Sequence, residues 1–200
     1  MKILLFVEVL GTISFAFSGA VIAMRHRLDA FGILIITFIS SIGGGTLRDV
    51  LIGSTPVSWM LDIYLIYTIL ATYFAAIFFH NKLLKLKNIF FLMDTFGLSL
   101  VTILAINKGI AYNLHPLVCI ALGTISGCFG GVLRDIVLNE IPVLFKENLY
   151  ATACIAGGLI YFLSIYFTAE AYTSSILACV TIIFMRFGAH YYKWNLPKFK

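Results

Sequence analysis

The most constraining feature of this 200-residue sequence is a pair of matching segments that lie within apolar stretches. Residues 44–50 read Gly-Gly-Thr-Leu-Arg-Asp-Val, and residues 130–136 read Gly-Gly-Val-Leu-Arg-Asp-Ile, 86 residues further along. Over residues 44–57, seven of the fourteen positions are identical to their partners at that spacing. Internal similarity at a fixed spacing is the signature of a duplicated structural unit. We therefore interpret the chain as two related halves.

The composition is that of a membrane protein. Hydrophobic residues make up 61% of the chain and charged residues 12%, whereas a soluble domain carries about 25% charged residues. A membrane-spanning helix needs about 20 apolar residues. Seven stretches meet this condition approximately, namely 3–24, 31–53, 60–80, 89–108, 114–138, 149–168 and 171–192. The sequence thus predicts a single all-α transmembrane domain over residues 1–200, with no soluble catalytic domain and no enzymatic activity.

The spacing also predicts how the two halves are inserted in the membrane. Repeat one, residues 3–80, and repeat two, residues 89–168, contain three predicted spans each. Because three is odd, the second repeat enters the membrane from the opposite face. Inverted repeats of this kind are common in transporters. The seventh helix, residues 171–192, has no counterpart and is expected to pack against the repeats or a neighbouring subunit.

The distribution of basic residues predicts an outside N-terminus and a cytoplasmic C-terminus. With that orientation only Lys2 and Lys108 lie outside, and Arg48 and Arg134 lie within spans. Anionic lipid head groups are the expected partners of the cytoplasmic residues, and no nucleic-acid recognition motif is present. The ten predicted cytoplasmic residues are Arg25, Arg27, Lys82, Lys85, Lys87, Lys146, Arg186, Lys193, Lys198 and Lys200.

Spans two and five each have one face of small and polar residues. We predict a pore or gate role for Thr37, Ser40, Ser41, Gly44, Arg48 and Asp49 in span two, and for Ser126, Gly127, Gly130, Arg134 and Asp135 in span five. Each glycine weakens a helix by about 1 kcal/mol relative to alanine, and adjacent glycines permit kinks. Kinks are therefore predicted at Gly43, Gly44 and Gly45 and at Gly130 and Gly131. The alternative is close helix packing.

The two intramembrane arginines require partners, because each costs at least about 2.5 kcal/mol to insert. Counting depth from the start of each span places Glu8 level with Arg48, and Asp94 level with Arg134. We therefore predict the ion pairs Glu8–Arg48 and Asp94–Arg134. Aspartates that follow each arginine point about 100° away on a regular helix and are not expected to pair with it. Alternatively, all six charges serve only as buried salt bridges that fix the helices.

The remaining reactive residue types show no catalytic or metal-binding spacing. The four cysteines are dispersed through apolar spans, and the four histidines lie near span ends. Cysteines in this pattern indicate buried apolar residues rather than a metal site or a disulfide framework. The sequence therefore predicts no metal and no cofactor.

A seven-span chain of this length, with paired Gly-Gly-x-x-Arg-Asp motifs in spans two and five, resembles prokaryotic members of the trimeric intracellular cation channel (TRIC) family. The resemblance covers nearly the whole chain. It implies a homotrimer in the inner membrane of a prokaryotic cell, with a pore in each subunit that passes potassium and other monovalent cations. Arginines beside a cation pathway would repel cations unless they are neutralised. The same architecture could therefore be a facilitator of a small zwitterion such as glycine, with arginine binding the carboxylate.

Overall fold

The computed structural model describes residues 2–86, 88–146, 149–167 and 170–194, with side chains from residue 5 onward. Lys87, Lys198 and Lys200 of the charge count lie outside the described residues. Within the described part, all regular structure is helical and no strand occurs. The ten helices there are α1 (Lys2–Arg25), α2 (Ala30–Leu51), α3 (Ser58–Leu61), α4 (Ile63–Phe78), α5 (His80–Lys85), α6 (Ile89–Ala111), α7 (Pro116–Val137), α8 (Val143–Lys146), α9 (Ala151–Tyr166) and α10 (Ala171–Tyr192).

Five of these helices, α1, α2, α6, α7 and α10, are long and apolar enough to cross a membrane. Helices α4 and α9 are apolar but have 16 residues each, which gives a length of about 24 Å. That is shorter than the hydrocarbon core of about 30 Å. The chain is therefore an integral membrane protein with five full-length helices, and the count of seven spans stays a prediction.

The turns after the long helices recur at the spacing of 86 residues. Arg27 after α1 and Asn113 after α6 have φ angles of 56° and 54°. Gly53 after α2 and Asn139 after α7 likewise have φ angles of 70° and 55°. In each turn, the next N–H bonds to the carbonyl oxygen five residues earlier, at 2.8–3.2 Å. This left-handed cap ends each helix, so α2 and α7 stop before the downstream prolines.

Helices α2 and α7 also begin in the same way. The Asp29 carboxylate accepts a hydrogen bond of 2.7 Å from the backbone N–H of Gly32 at the start of α2. At the equivalent place before α7, the ring Nδ1 of His115 accepts from the backbone N–H of Leu117 at 3.3 Å. Side-chain acceptors at this position satisfy backbone donors that have no partner within the helix.

Helices α1, α2, α6 and α7 form the centre of the bundle, and equivalent helices pack against each other. A Cβ atom placed on Gly11 of α1 would lie 3.3 Å from the Val101 side chain of α6, and one on Gly97 would lie 2.9 Å from the Phe15 ring. The later residue of α1 thus meets the earlier residue of α6, so the two helices are antiparallel. Helix α4 lies against α1 and α2, while α9 and α10 pack on each other beside α6 and α7.

The glycines of α2 and α7 lie where these two helices cross. A Cβ atom on Gly130 would lie 2.5 Å from the carbonyl oxygen of Ser40, and one on Gly44 would collide with the carbonyl oxygen of Ser126. The Ser126 hydroxyl donates a hydrogen bond of 3.0 Å to the Gly44 carbonyl oxygen. Close packing thus requires the absence of a side chain at both glycines. The helices run without interruption through this region, and a kink within them stays a prediction.

Candidate functional site

The Arg134 cluster consists of Asp94, Arg134, Asp135 and Arg186, and it lies near the end of α7. Arg134 Nη1 is 3.0 Å from Asp94 Oδ1, and Arg134 Nε is 2.8 Å from Asp135 Oδ1. The contact between Asp94 and Arg134 is the one that the depth of the two residues predicts. Both side chains are 0% exposed. The pair therefore holds α6 against α7 inside the protein, away from lipid and solvent.

Arg186 belongs to this cluster, and the prediction that it lies in a cytoplasmic loop is wrong. Helix α10 continues to Tyr192, so Arg186 lies within it, and its side chain is 2% exposed. Its Nη2 atom is 3.6 Å from Asp94 Oδ2, and its guanidinium lies 5.0 Å from the Phe91 ring centroid. The carboxylate and the aromatic face together compensate the buried charge.

The Arg48 cluster consists of Glu8, Arg48, Asp49 and Lys108, and it lies near the end of α2. Arg48 Nε and Lys108 Nζ each lie 2.7 Å from Asp49 Oδ1. The predicted Glu8–Arg48 ion pair is wrong in this structure, because no salt bridge within 4.0 Å joins these two described side chains. Arg48 instead directs its guanidinium to Asp49 and to the Ser58 hydroxyl, which is 3.4 Å from Nη2.

The expectation that each aspartate would not pair with the preceding arginine is also wrong. In both clusters the arginine side chain turns back, so that Nε reaches the neighbouring carboxylate. The other carboxylate oxygen accepts a backbone hydrogen bond from the next segment. Asp49 Oδ2 accepts from Ser58 N–H, and Asp135 Oδ2 accepts from Val143 N–H, each at 2.8 Å. The aspartates thus tie the ends of α2 and α7 to the short helices α3 and α8.

Lys108 is a member of the Arg48 cluster that sequence analysis missed. The distribution of basic residues predicts that it lies on the outer side, yet its Nζ atom also lies 2.9 Å from Ser58 Oγ, within the cluster. Its counterpart in the first repeat, at a spacing of 86, is Ile22, so the duplication gives no signal for it. Its depth does give one, because Lys108 lies in the last turn of α6, level with the end of α2. Each cluster therefore contains two carboxylates and two basic groups, although the second basic group comes from a different helix.

A cavity of about 50 Å³ opens beside the Arg48 cluster. This volume has room for a few water molecules. Leu65 and Ile69 of α4 form part of its apolar wall, and Gly45 of α2 lines it as well. The polar residues that line it are Glu8, Thr12, Ser41, Arg48, Asp49 and Ser58.

Glu8 is the carboxylate in this cavity without a direct partner. Among the described residues, none forms a hydrogen bond or a salt bridge with the Glu8 side chain. Asp49, in contrast, contacts Arg48, Lys108 and Ser58. A carboxylate that faces water without a basic partner attracts positively charged groups. Glu8 is therefore the residue of this site that is available to bind a cation or an ammonium group.

The other predicted pore residues lie mainly at helix contacts. Of the predicted hydroxyl residues, Ser41 lines the cavity. Thr37 and Ser40 are 0% exposed, and their hydroxyls donate to carbonyl oxygens of their own helix at 2.7 Å. Their role in a pore remains a prediction. The buried members of the predicted set in this structure are Thr37, Ser40, Gly44, Arg48, Asp49, Ser126, Gly127, Gly130, Arg134 and Asp135.

Within the described part of the chain, no group of three or more His, Cys, Asp or Glu side chains is arranged to hold a metal ion. All four cysteines are free thiols. The chemistry of the site is therefore that of charged and hydroxyl groups around a small cavity. Such groups bind ions or small polar molecules.

Comparison with known proteins identifies relatives over nearly the whole chain. The family model described as "Glycine transporter" matches residues 5–81 and again residues 91–166. The chain belongs to this family. A UPF0126 membrane protein of Vibrio cholerae is 31% identical over 199 residues, which cover 99% of this chain and 83% of the relative. The UPF0126 inner membrane protein YadS of Escherichia coli K12 is also 31% identical, over 96% of this chain and 94% of its own.

Solved structures show the same fold in TRIC channels. A prokaryotic TRIC channel crystallised in 0.5 M KCl is similar to this Glycine transporter family member with a TM-score of 0.88 and 28% identity, over 98% of this chain and 99% of that chain. The TRIC orthologue from Rhodobacter sphaeroides has a TM-score of 0.91 at 24% identity, over 97% and 100% of the two chains. The resemblance to the prokaryotic TRIC family is therefore confirmed.

Proposed function

We propose that this chain forms a channel for monovalent cations such as potassium, with a pore in each subunit of a homotrimer. The observation that carries the proposal is the unpartnered Glu8 carboxylate in a cavity at the end of α2. The cavity continues along α2 to Ser41, which follows Ser40 at the crossing with α7. The fold shared with TRIC channels supports the same function.

The proposed architecture is two inverted three-helix repeats, residues 3–80 and 89–168, followed by a seventh helix. The antiparallel packing of α1 on α6 supports it, because equivalent helices of inverted repeats run in opposite directions. In this arrangement the Arg48 and Arg134 clusters lie toward opposite faces of an inner membrane. The excess of basic residues in the predicted cytoplasmic loops supports an orientation with the Arg48 cluster outside and the C-terminus in the cytoplasm.

Charge balance decides which ions such a cavity admits. Asp49 neutralises Arg48, and Lys108 supplies a further positive charge near the same carboxylate. Without Glu8, the remaining three charges would carry a net charge of +1 and repel cations. Glu8 makes the cluster neutral and places its negative charge at the cavity wall. The selectivity of the proposed pore for cations therefore depends on this one carboxylate.

Replacing Glu8 with glutamine tests this dependence. A unit charge about 6 Å away, at an effective dielectric constant near 20, is worth about 3 kcal/mol, so we expect Glu8→Gln to lower potassium flux at least about tenfold. The measurement is potassium efflux from liposomes that contain the purified protein. Glu170→Gln is the matched control, because Glu170 is exposed at the start of α10. Equal flux in all three proteins would contradict the role of Glu8.

Lys108 gives a second test with the opposite sign. Lys108→Met leaves Asp49 paired with Arg48 and changes the net charge of the Arg48 cluster from zero to −1. We expect a higher potassium conductance at low salt, where surface charges are weakly screened. Lys146→Met is the control, because Lys146 is half exposed and pairs with Glu140 in the segment that follows α7. A lower conductance for Lys108→Met, recorded on folded protein in planar bilayers, would count against a cation pathway beside Asp49.

A second candidate function is a facilitator of a small zwitterion such as glycine. The cavity favours it in one respect, because Glu8 and Arg48 line the same space and could bind an ammonium and a carboxylate group. The description of the family also favours it. Liposome uptake separates the two candidates. A facilitator gives saturable glycine uptake without an ohmic current, whereas a channel gives a current that follows the potassium gradient.

A further inference from the structure

The Arg48 and Arg134 clusters are built from equivalent residues, yet they differ in their surroundings. Gly45 and Arg48 line an open cavity. Their counterparts at a spacing of 86, Gly131 and Arg134, are buried, and Arg134 is 0% exposed compared with 5% for Arg48. A substituent at Gly45 would meet only Arg48 Nη2, at 3.8 Å. A substituent at Gly131 would meet the Tyr150 hydroxyl at 3.1 Å and Arg134 Nη2 at 3.5 Å.

Tyr150 therefore occupies, in the second half, the space that is open in the first half. Its side chain is 2% exposed, and its hydroxyl has no hydrogen-bond partner among the described residues. The guanidinium of Arg186 lies 4.5 Å from the ring centroid, which stabilises the ring in this position. A buried hydroxyl without a partner costs about 1–3 kcal/mol, so the position of the ring is not explained by a hydrogen bond.

The residue equivalent to Tyr150 in the first half is Leu65. The two family matches begin 86 residues apart but end 85 residues apart, so the second copy is one residue shorter. At a spacing of 85, each of the five buried residues of α4 coincides with a buried residue of the second half, although buried Ala153 coincides with the partly exposed Thr68. The coinciding buried residues are Leu65, Ile69, Thr72, Tyr73 and Ala76 in the first half and Tyr150, Cys154, Gly157, Gly158 and Tyr161 in the second.

Leu65 lines the open cavity. Its side chain is shorter than that of a tyrosine, because it lacks the outer part of the ring and the hydroxyl. This pair of side chains accounts for the difference in open space beside the two arginines. A leucine leaves the space beside Gly45 and Arg48 empty. A tyrosine fills the corresponding space beside Gly131 and Arg134.

We propose that Tyr150 is a plug that closes the Arg134 end of the pathway, and that Leu65 at the equivalent position leaves the Arg48 end open. The inference rests on the proposed channel function for its consequence in ion flux, but the plug itself is a statement about access of water. Removing the ring should open the second half, and adding a ring should close the first half.

Thiol accessibility tests the plug without reference to conduction. In protein whose four native cysteines are replaced by alanine, Gly45→Cys or Gly131→Cys is introduced and exposed to a water-soluble, cationic methanethiosulfonate on both sides of the membrane. We expect the thiol at position 45 to react and the thiol at position 131 to react at least several-fold more slowly. Adding Tyr150→Leu should raise the rate at position 131 several-fold, and adding Leu65→Tyr should lower the rate at position 45.

Two results would overturn the plug. One is a rate at position 131 that is unchanged by Tyr150→Leu in folded protein. The other is a rate at position 45 that is unchanged by Leu65→Tyr, which remains decisive if Tyr150→Leu fails to fold. Potassium flux in the same liposomes separates this inference from the proposed function. If the thiol reaction rates change as expected but no variant conducts potassium, the result supports the plug and contradicts the proposed channel function.

Discussion

Replacing Arg134 with methionine is expected to destabilise the protein by about 3–5 kcal/mol, because it removes the basic partner of buried Asp135 and leaves Asp94 with Arg186 alone. Arg134 contacts both Asp94 and Asp135, and its side chain is 0% exposed. Methionine fills a similar volume but cannot compensate either carboxylate. The measurement is the thermal unfolding midpoint of the purified protein in detergent, compared with that of the unsubstituted chain.

Arg48→Met is the matched comparison and should cost less. Asp49 would keep Lys108 and Ser58 as partners, and the cavity beside it admits water. We therefore expect a smaller fall in the unfolding midpoint than for Arg134→Met. Equal unfolding midpoints for Arg134→Met and Arg48→Met would contradict the prediction that the Arg134 ion pairs contribute more to stability than the Arg48 ion pair.

Replacing Gly130 with alanine is expected to separate α2 from α7, because the new Cβ atom would lie 2.5 Å from the Ser40 carbonyl oxygen. Overpacking of this kind costs about 1–3 kcal/mol or more, and backbone atoms yield less readily than side chains. Gly44→Ala should have a similar effect against the Ser126 carbonyl. Both variants should lower the unfolding midpoint and reduce any flux that depends on this crossing.

Gly45→Ala is the control for helix propensity. A Cβ atom there would meet only Arg48 Nη2, at 3.8 Å, and alanine favours a helix by up to about 1 kcal/mol over glycine. We expect Gly45→Ala to leave the midpoint unchanged or to raise it. A similar loss of stability at positions 44, 45 and 130 would mean that helix propensity or flexibility, and not the close contact of α2 with α7, explains the glycines.

The sequence was sufficient to predict one of the two proposed ion pairs. Counting depth along each span placed Asp94 beside Arg134, and the two residues are in contact. The same count placed Glu8 beside Arg48, but Arg48 contacts Asp49 instead, and Lys108 also reaches Asp49. Lys108 belongs to the second half of the chain, and the equivalent residue of the first half is Ile22, which carries no charge. Depth along the spans narrows the candidate partners of each charge, whereas the actual contacts depend on side-chain direction and on how the two halves dock.

The glycines of α2 and α7 and the residue Arg186 show a second limit of prediction from the sequence. Small residues at this spacing suit both a kink and a close crossing, and the choice depends on the helix that lies opposite. Arg186 carried a signal that charge counting obscured, because it lies inside the predicted span 171–192. An arginine within a span predicts a buried partner, and here that partner is Asp94. Treating it as a loop residue therefore hid its place in the Arg134 cluster.

The difference between Leu65 and Tyr150 was not predictable from a constant spacing. The second copy is one residue shorter, so a spacing of 86 aligns Tyr150 with Tyr64 and suggests that the halves are alike there. Burial corrects the alignment, because Tyr64 is 71% exposed while Leu65 and Tyr150 are both buried. The proposed asymmetry between the two halves thus depends on a change in register that a constant spacing of 86 residues does not show.

The most direct test of the proposed cation pathway is a single-channel recording of the purified protein in a planar bilayer with unequal KCl concentrations on the two sides. The account predicts currents that reverse near the potassium equilibrium potential, and a marked loss of conductance in Glu8→Gln. Currents that reverse near the chloride equilibrium potential, or an absence of current together with saturable glycine uptake in liposomes, would contradict it.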